Sequence, residues 1–238
     1  MCGIVGGVAE RCVTDILIEG LKRLEYRGYD SAGLALLNNQ KILRERRVGK
    51  VANLAEAVSE QHLTGHVGIA HTRWATHGKP TEDNAHPHVS GDVAVVHNGI
   101  IENYTELKEK LLKHGYTFYS QTDTEVVIKL VDYYYKKYNL GPIDAIAKTM
   151  VRVRGSYALE LMFKDYPGEI WVARKDSPMI IGVTDGETYV ASDVPAILKY
   201  TRNVYYIGNL EFAKLTPGEA HFYDLNGDEI EKETTEIK

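Results

Sequence analysis

The sequence predicts an α+β fold, a large β core with helices packed on it. Three observations carry that prediction. Four stretches repeat apolar residues at the spacing of an amphipathic helix, and a fifth helix is expected after them. Between them lie short apolar runs of strand length. The second half is almost all such runs, separated by turn dipeptides such as Asp185-Gly186 and Asn226-Gly227.

The first helix is expected over 13–25, where Val13, Ile16, Leu17, Leu21 and Leu24 form one stripe. Residues 51–59 are a shorter candidate. In 104–114, Tyr104, Leu107 and Leu111 align, with an Asn103-to-Glu106 capping box before them and Gly115 as a stop. In 124–138, Val127, Leu130, Val131, Tyr134 and Tyr138 align behind a second box, Thr122 to Glu125. A fifth helix covers 143–153. Strands are expected at 3–9, 31–37, 42–48, 67–71, 93–97, 156–163, 169–173, 179–183, 188–191, 204–207 and 220–223. The runs at 67–71 and 93–97 are apolar on both faces, as buried strands are. The charged tail Glu229–Lys238 reads as the start of a linker.

The chain has 238 residues, 44% apolar and 26% charged, which excludes a disordered chain, a fibre and a collagen-like repeat. With 28 basic and 33 acidic residues the net charge is −5, so no nucleic-acid surface is expected. No window approaches the ~18 apolar residues of a membrane span. The start MCGIVGGVAERC lacks a basic n-region and reaches Glu10 and Arg11 at once, unlike a signal peptide. Two cysteines are too few for a disulfide framework, so a reducing, cytoplasmic compartment is expected.

Cys2 follows the initiator Met. If Met1 is removed, one residue carries a thiol nucleophile and an α-amine of pKa ~7.7–8.0 that can serve as its base. The plainer reading is a strand whose second residue happens to be Cys. Cys12 reads as a small packing residue. After the strand at 67–71, His71-Thr72-Arg73-Trp74-Ala75-Thr76-His77-Gly78 offers a bidentate fork in Arg73 and a polar loop. It is equally a surface turn. Asn98-Gly99 is a strong turn signal; it could also be an oxyanion hole built from the Asn98 amide and the Gly99 N–H. Asp123 at a helix start suits the helix dipole, or a substrate ammonium. Arg73 and Asp123 together would clamp an α-amino acid. Arg27 and Gly28 cap a helix, or support the N-terminal cysteine. His71, His77, His86, His88 and His97 cluster in sequence, but their spacings match no familiar zinc pattern, so no metal is expected. His86 reads better as a hydrogen-bond donor or loop organiser.

Each signal is weak alone. Together, Cys2-Gly3-Ile4-Val5-Gly6, Tyr26-Arg27-Gly28-Tyr29-Asp30-Ser31-Ala32-Gly33, His71 to Gly78, Asn84-Ala85-His86-Pro87-His88, His97-Asn98-Gly99-Ile100-Ile101-Glu102-Asn103 and Thr122-Asp123-Thr124-Glu125 resemble one family. It is the glutaminase domain of the glutamine–fructose-6-phosphate amidotransferases, the glucosamine-6-phosphate synthases. Arg154-Gly155-Ser156-Tyr157 and Ala173-Arg174-Lys175-Asp176-Ser177-Pro178 also fit, and the resemblance runs over all 238 residues. The cysteine and the Asn-Gly pair are common to the wider class II amidotransferases.

The resemblance implies a four-layer αββα sandwich of two antiparallel sheets, the N-terminal-nucleophile hydrolase fold, and no cofactor. It implies that Cys2 attacks the glutamine side-chain amide while Asn98 and Gly99 hold the oxyanion and Arg27 and Gly28 position the Cys2 terminus. Arg73 would grip the α-carboxylate and Asp123 the α-ammonium. Thr76, His77 and His86 would shape the glutamine loop, and Trp74 would sit near the ammonia exit. Residues 1–238 would form one glutaminase domain, the partner isomerase half of the intact enzyme being absent, with L-glutamine as substrate and a homodimer formed by the full-length enzyme. Two other readings stand beside it. One is the glutaminase half of another class II amidotransferase; the other is a non-catalytic amino-acid-binding module if Met1 is retained.

Overall fold

A computed structural model describes residues 2–74, 78–139 and 141–238. In chain order it contains β1 (Gly3–Ala9), α1 (Thr14–Arg23), β2 (Ser31–Asn38), β3 (Lys41–Val48), α2 (Val51–Glu60), β4 (Val67–Arg73), β5 (His88–Ser90), β6 (Val93–Ile101), α3 (Tyr104–Lys113), α4 (Asp123–Lys137) and α5 (Pro142–Arg152). The second half adds β7 (Gly155–Phe163), β8 (Ile170–Lys175), β9 (Ile180–Thr184), β10 (Glu187–Ala191), β11 (Asn203–Tyr206), β12 (Glu211–Thr216), β13 (Glu219–Tyr223), β14 (Glu229–Ile230) and β15 (Thr235–Glu236). Two antiparallel sheets result. One runs β15-β11-β9-β10-β1-β4-β2-β3, the other β14-β13-β12-β8-β7-β6-β5.

The period-two alternation of the strands fixes the layers. On β1, Ile4 and Val8 turn inward to the other sheet, joining Ala158 and Met162 of β7 in a core between the sheets. Val5 and Ala9 turn outward to Leu17, Leu21 and Leu24, the stripe of the first helical segment. On β7, Tyr157, Leu159, Leu161 and Phe163 turn outward to α3, α4 and α5. The stack is αββα, the architecture the resemblance implied. Leu17, Leu21 and Leu24 are fully buried, each contributing about 1.5–3 kcal/mol of apolar transfer.

The helix ends follow their local chemistry. Thr122 caps α4 by accepting the Glu125 N–H. Beyond α3, the N–H groups of Gly115 and Tyr116 donate to the Leu112 and Leu111 carbonyls, with Gly115 at φ +86°. Asn103 does not form the expected box. Its side chain accepts the Arg154 N–H and donates to the Arg152 carbonyl, tying the start of α3 to the approach to β7. Three further expectations are corrected. Cys12 is exposed rather than packed, its sulfur beside Thr14 Oγ1. Tyr138 is also exposed, just past the end of α4. The tail is no free linker: Glu229–Ile230 extends one sheet beside β13, and Thr235–Glu236 extends the other beside β11. The strands β5 and β12 were missed. Ala213 and Leu215 of β12 alternate with the polar Lys214 and Thr216 ahead of the Pro217-Gly218 turn, a hairpin signal with β13.

One residue contradicts its layer. Glu160 of β7 points into the core between the sheets, flanked in register by Val96 and Val172. It is fully buried, and neither carboxyl oxygen has a hydrogen-bond partner among the described residues. Gly6 of β1 makes the room; a Cβ there would overlap a Glu160 oxygen. Burial pushes this carboxyl well above its ordinary range, so it is held neutral. A raised folded-state value gives a contribution fully present below ~4.3 and lost as pH rises toward the folded value. Glu160→Met should therefore stabilise the protein by about 1–3 kcal/mol at pH 8 and by less at pH 5. Urea unfolding at both pH values tests this, and a gain independent of pH would refute the assignment.

Candidate active site

The site forms where one end of the sandwich brings β1 of one sheet against β6 of the other. Cys2 precedes β1. Its neighbours are held by two hydroxyls that extend the backbone ladder. Thr72 Oγ1 of β4 accepts the Gly3 N–H at 3.0 Å, and Ser192 Oγ, just after β10, accepts the Ile4 N–H at 2.9 Å. Ser192 also accepts from Arg27 Nη1 at 3.0 Å. A Cβ at Gly3 would lie 2.7 Å from Thr72 Oγ1, so glycine here permits the close approach.

From the facing sheet, Asn98 of β6 reaches across. Its Nδ2 donates to the Cys2 carbonyl at 3.0 Å. The pair Asn98-Gly99 is no hairpin turn. The ladder from Val93 to Ile101 against Phe163 to Gly155 runs straight through it, with Gly99 at φ +120°. A Cβ at Gly99 would overlap the Ser156 carbonyl oxygen, so both the backbone angle and the space require glycine.

The Cys2 sulfur accepts the Trp74 N–H at 3.1 Å and donates to the Trp74 carbonyl at 3.6 Å. Burial raises its pKa; the Trp74 N–H and the positive charge of Arg73 act in the opposite direction. Arg73 closes β4 and is buried, donating from Nη1 to the Lys79 carbonyl at 3.1 Å and from Nη2 to the Gly78 carbonyl at 3.3 Å. Asp123 sits in the first turn of α4, also buried, and one carboxylate oxygen accepts the Ile101 N–H at 2.8 Å.

These residues share one cavity of about 490 Å³, which Cys2, Arg27, Arg73, Trp74, His86, Asn98, Gly99 and Asp123 all line. Most of the expected site therefore converges. Gly28 does not line it; at φ +77° it ends the turn at Glu25–Arg27, against the Trp74 ring. Thr76 and His77 lie outside the described residues, as does Met1. The cavity also recruits Thr124, Ser156, Ser177 and Pro178, which lie in the motifs that carry the resemblance but to which sequence reasoning gave no role. The turn carrying Ser177 is pinned by Arg174, which donates to the Ser177 carbonyl at 2.6 Å and to the Ile207 carbonyl at 2.8 Å.

The histidines form a packed polar layer. His71 stacks on His86 with centroids 3.9 Å apart and planes at 12°, and His88 follows at 4.9 Å. Burial drives the pKa of each down, that of His71 to about 3, so all three are neutral near pH 7. Among the described residues no group of three or more His, Cys, Asp or Glu is arranged to hold a metal. None of their helices is long and apolar enough to cross a membrane.

Chemically, the cavity sets a thiol, a carboxamide from the opposite sheet, a buried guanidinium and a buried carboxylate around one volume. That set matches an acyl-transfer site with a clamp for a zwitterion. Comparison with known proteins identifies the family. Residues 71–199, more than half the chain, match the family described as glutamine amidotransferase domain. Over its whole length the chain is 57% identical to the glutamine–fructose-6-phosphate aminotransferase (isomerizing) of Acinetobacter baylyi, of which it spans 38%. It is 50% identical to that of Caldanaerobacter subterraneus subsp. tengcongensis, spanning 39%. The fold is also that of the glutamine phosphoribosylpyrophosphate amidotransferase from B. subtilis, at a TM-score of 0.80 and 24% identity over 94% of this chain and 49% of that one. The chain belongs to the glutamine amidotransferase domain family.

Proposed function

We propose that this chain hydrolyses the side-chain amide of L-glutamine to glutamate and ammonia through a γ-glutamyl thioester on Cys2. The observation that carries the reading is the meeting of Cys2 and Asn98 across the two sheets, in the same cavity as Arg73 and Asp123. With Met1 removed, the Cys2 α-amine takes the thiol proton as the sulfur attacks the amide carbon. The second N–H of Asn98 Nδ2, together with Gly99, stabilises the tetrahedral oxyanion. The resulting ammonium protonates the leaving nitrogen, ammonia departs, and water hydrolyses the thioester. Arg73 grips the substrate α-carboxylate and Asp123 its α-ammonium, fixing the distance to the sulfur. That distance favours glutamine over asparagine, which is one methylene shorter. Thr76, His77 and His86 shape the loop over the substrate, Trp74 stands at the ammonia exit, and Arg27, through Ser192, steadies the N-terminal strand.

The relatives are more than twice the length of this chain. Their names support the reading that residues 1–238 act as the ammonia-producing domain of a longer enzyme. In that enzyme a sugar-phosphate isomerase part would convert fructose 6-phosphate and the ammonia to glucosamine 6-phosphate, and would carry the homodimer contacts. Two cysteines in the whole chain and a phosphorylated sugar as acceptor favour the cytoplasm.

Ammonia release from glutamine, measured beside intact mass, tests the proposal. Activity should accompany loss of one Met, and Cys2→Ala should abolish it. Cys2→Ser should lower kcat about 10³-fold or more. A chain that lacks Met1 yet shows no turnover would favour an amino-acid-binding module instead. Arg73→Ala and Asp123→Asn should each raise KM about 10- to 100-fold with a smaller effect on kcat. Asparagine is the choice at 123 because it retains an acceptor for the Ile101 N–H. Wild-type KM in either variant would count against the clamp.

A further inference from the structure

We infer that His71 is a positioning residue: its Nε2–H fixes which end of the Asn98 carboxamide faces Cys2. The inference rests on the glutaminase reading for its kinetic consequence, but its geometry stands by itself. His71 Nε2 lies 2.9 Å from the His97 carbonyl oxygen and 3.0 Å from Asn98 Oδ1. A backbone carbonyl accepts and never donates, so the proton is on Nε2. The other nitrogen, Nδ1, is buried without a partner among the described residues. A proton there would be an unsatisfied buried donor, which is the costlier tautomer.

With the proton on Nε2, the Asn98 atom facing it must be the oxygen. The amide nitrogen is then turned toward the Cys2 carbonyl, where it donates at 3.0 Å. Flipped by 180°, the carboxamide would set an N–H against an N–H at His71 and an oxygen against an oxygen at Cys2. Both contacts are repulsive. The imidazole is itself held. It stacks on His86, whose Nδ1 accepts the His97 N–H at 3.3 Å. Burial keeps the His71 ring neutral, which leaves the tautomer assignment intact through the physiological range. His71 does not line the cavity, so it acts through Asn98 rather than on substrate. Nothing in its sequence setting distinguishes it from the other histidines nearby.

Kinetics and a direct probe of the amide test this together. His71→Leu should lower kcat about 10- to 100-fold, below the full loss of an oxyanion donor, with KM for glutamine within about threefold of wild type. His71→Gln, whose amide N–H reaches the Nε2 position, should restore kcat to within about fivefold. In an Asn98→Ala background, His71→Leu should cost nothing further, because its effect passes through Asn98. Unchanged kcat in a folded His71→Leu, or an equal loss in the Asn98→Ala background, would overturn the inference. Should His71→Leu not fold, His71→Asn carries the same comparison, its shorter amide stopping at the level of Nδ1. Independently of turnover, the side-chain amide resonances of Asn98 are identified by their loss in Asn98→Ala. They should be one fixed, protected pair in wild type and His71→Gln and be shifted or exchange-broadened in His71→Leu. Absent turnover in a wild-type chain shown by intact mass to lack Met1, with this NMR pattern, would reject the glutaminase reading and keep the positioning role. Resonances unaffected by His71→Leu would reject the role.

Discussion

The site depends on one contact between layers, the donation from Asn98 Nδ2 to the Cys2 carbonyl. Cys2 leads into a central strand of one sheet and Asn98 lies in the other, so their meeting is set by how the two sheets stack rather than by any local turn. The apolar contacts between the sheets fix that stacking to within a side chain. Ile4, two residues from the thiol, is part of the same core as Val96, two residues from the carboxamide. A shift of either strand by one residue would turn these pairs over and carry the thiol out of the cavity. The core between the sheets therefore acts directly on the chemistry.

Around this contact the protein separates neutral polar groups from charged ones. The histidine layer behind Asn98 is neutral because it is buried, and it transmits orientation through hydrogen bonds of fixed direction. Arg73 and Asp123, both buried beside the cavity, are anchored on backbone groups. Arg73 donates to two carbonyls and Asp123 accepts one N–H. Such anchoring holds each group in place for a charged ligand atom and limits the side-chain freedom that binding would otherwise remove.

Much of this was legible in the chain. Helix stripes, most strands and the convergence of Cys2, Arg73, Asn98 and Asp123 could be read from periodicity, motif and resemblance. What escaped has physical causes. Asn98-Gly99 looks like a turn because both residues favour left-handed backbone, yet the neighbouring ladder holds them in strand and uses glycine for closeness to Ser156. Thr72, inside the His71 to Gly78 block, and Ser192, outside every motif, have no role that their residue types would signal. They matter because register places their hydroxyls on the N–H groups of Gly3 and Ile4, 69 and 188 residues away. Glu160 reads as a polar break in an apolar strand, and its inward direction follows only from the parity of β7. The tail looked like a linker because its charges dominate composition, whereas edge strands accept charge readily.

The raised pKa of the Cys2 thiol bears on how the nucleophile can work. A half-buried thiol whose pKa is held above its ordinary value does not rest as a thiolate near pH 7. The Trp74 N–H and the Arg73 charge would stabilise an anion once formed, but burial outweighs them at rest. The proton must then leave as the carbon–sulfur bond forms, and it needs an acceptor within reach of that sulfur. Among the ionisable groups lining the cavity, His86 and His97 are poor candidates: burial depresses the basicity of His86 and its Nδ1 already accepts the His97 N–H, while His97 has Nδ1 2.8 Å from Thr124 Oγ1 and Nε2 3.4 Å from the Ser156 carbonyl oxygen. Asp123 accepts the Ile101 N–H and, ordinarily a weak base, suits the substrate ammonium better than a thiol proton. An α-amine on Cys2 itself meets the requirement without any further side chain, since its distance to the sulfur is set by covalent geometry. In the proposed mechanism the histidine layer would then serve structure and orientation, and removal of Met1 would supply the base.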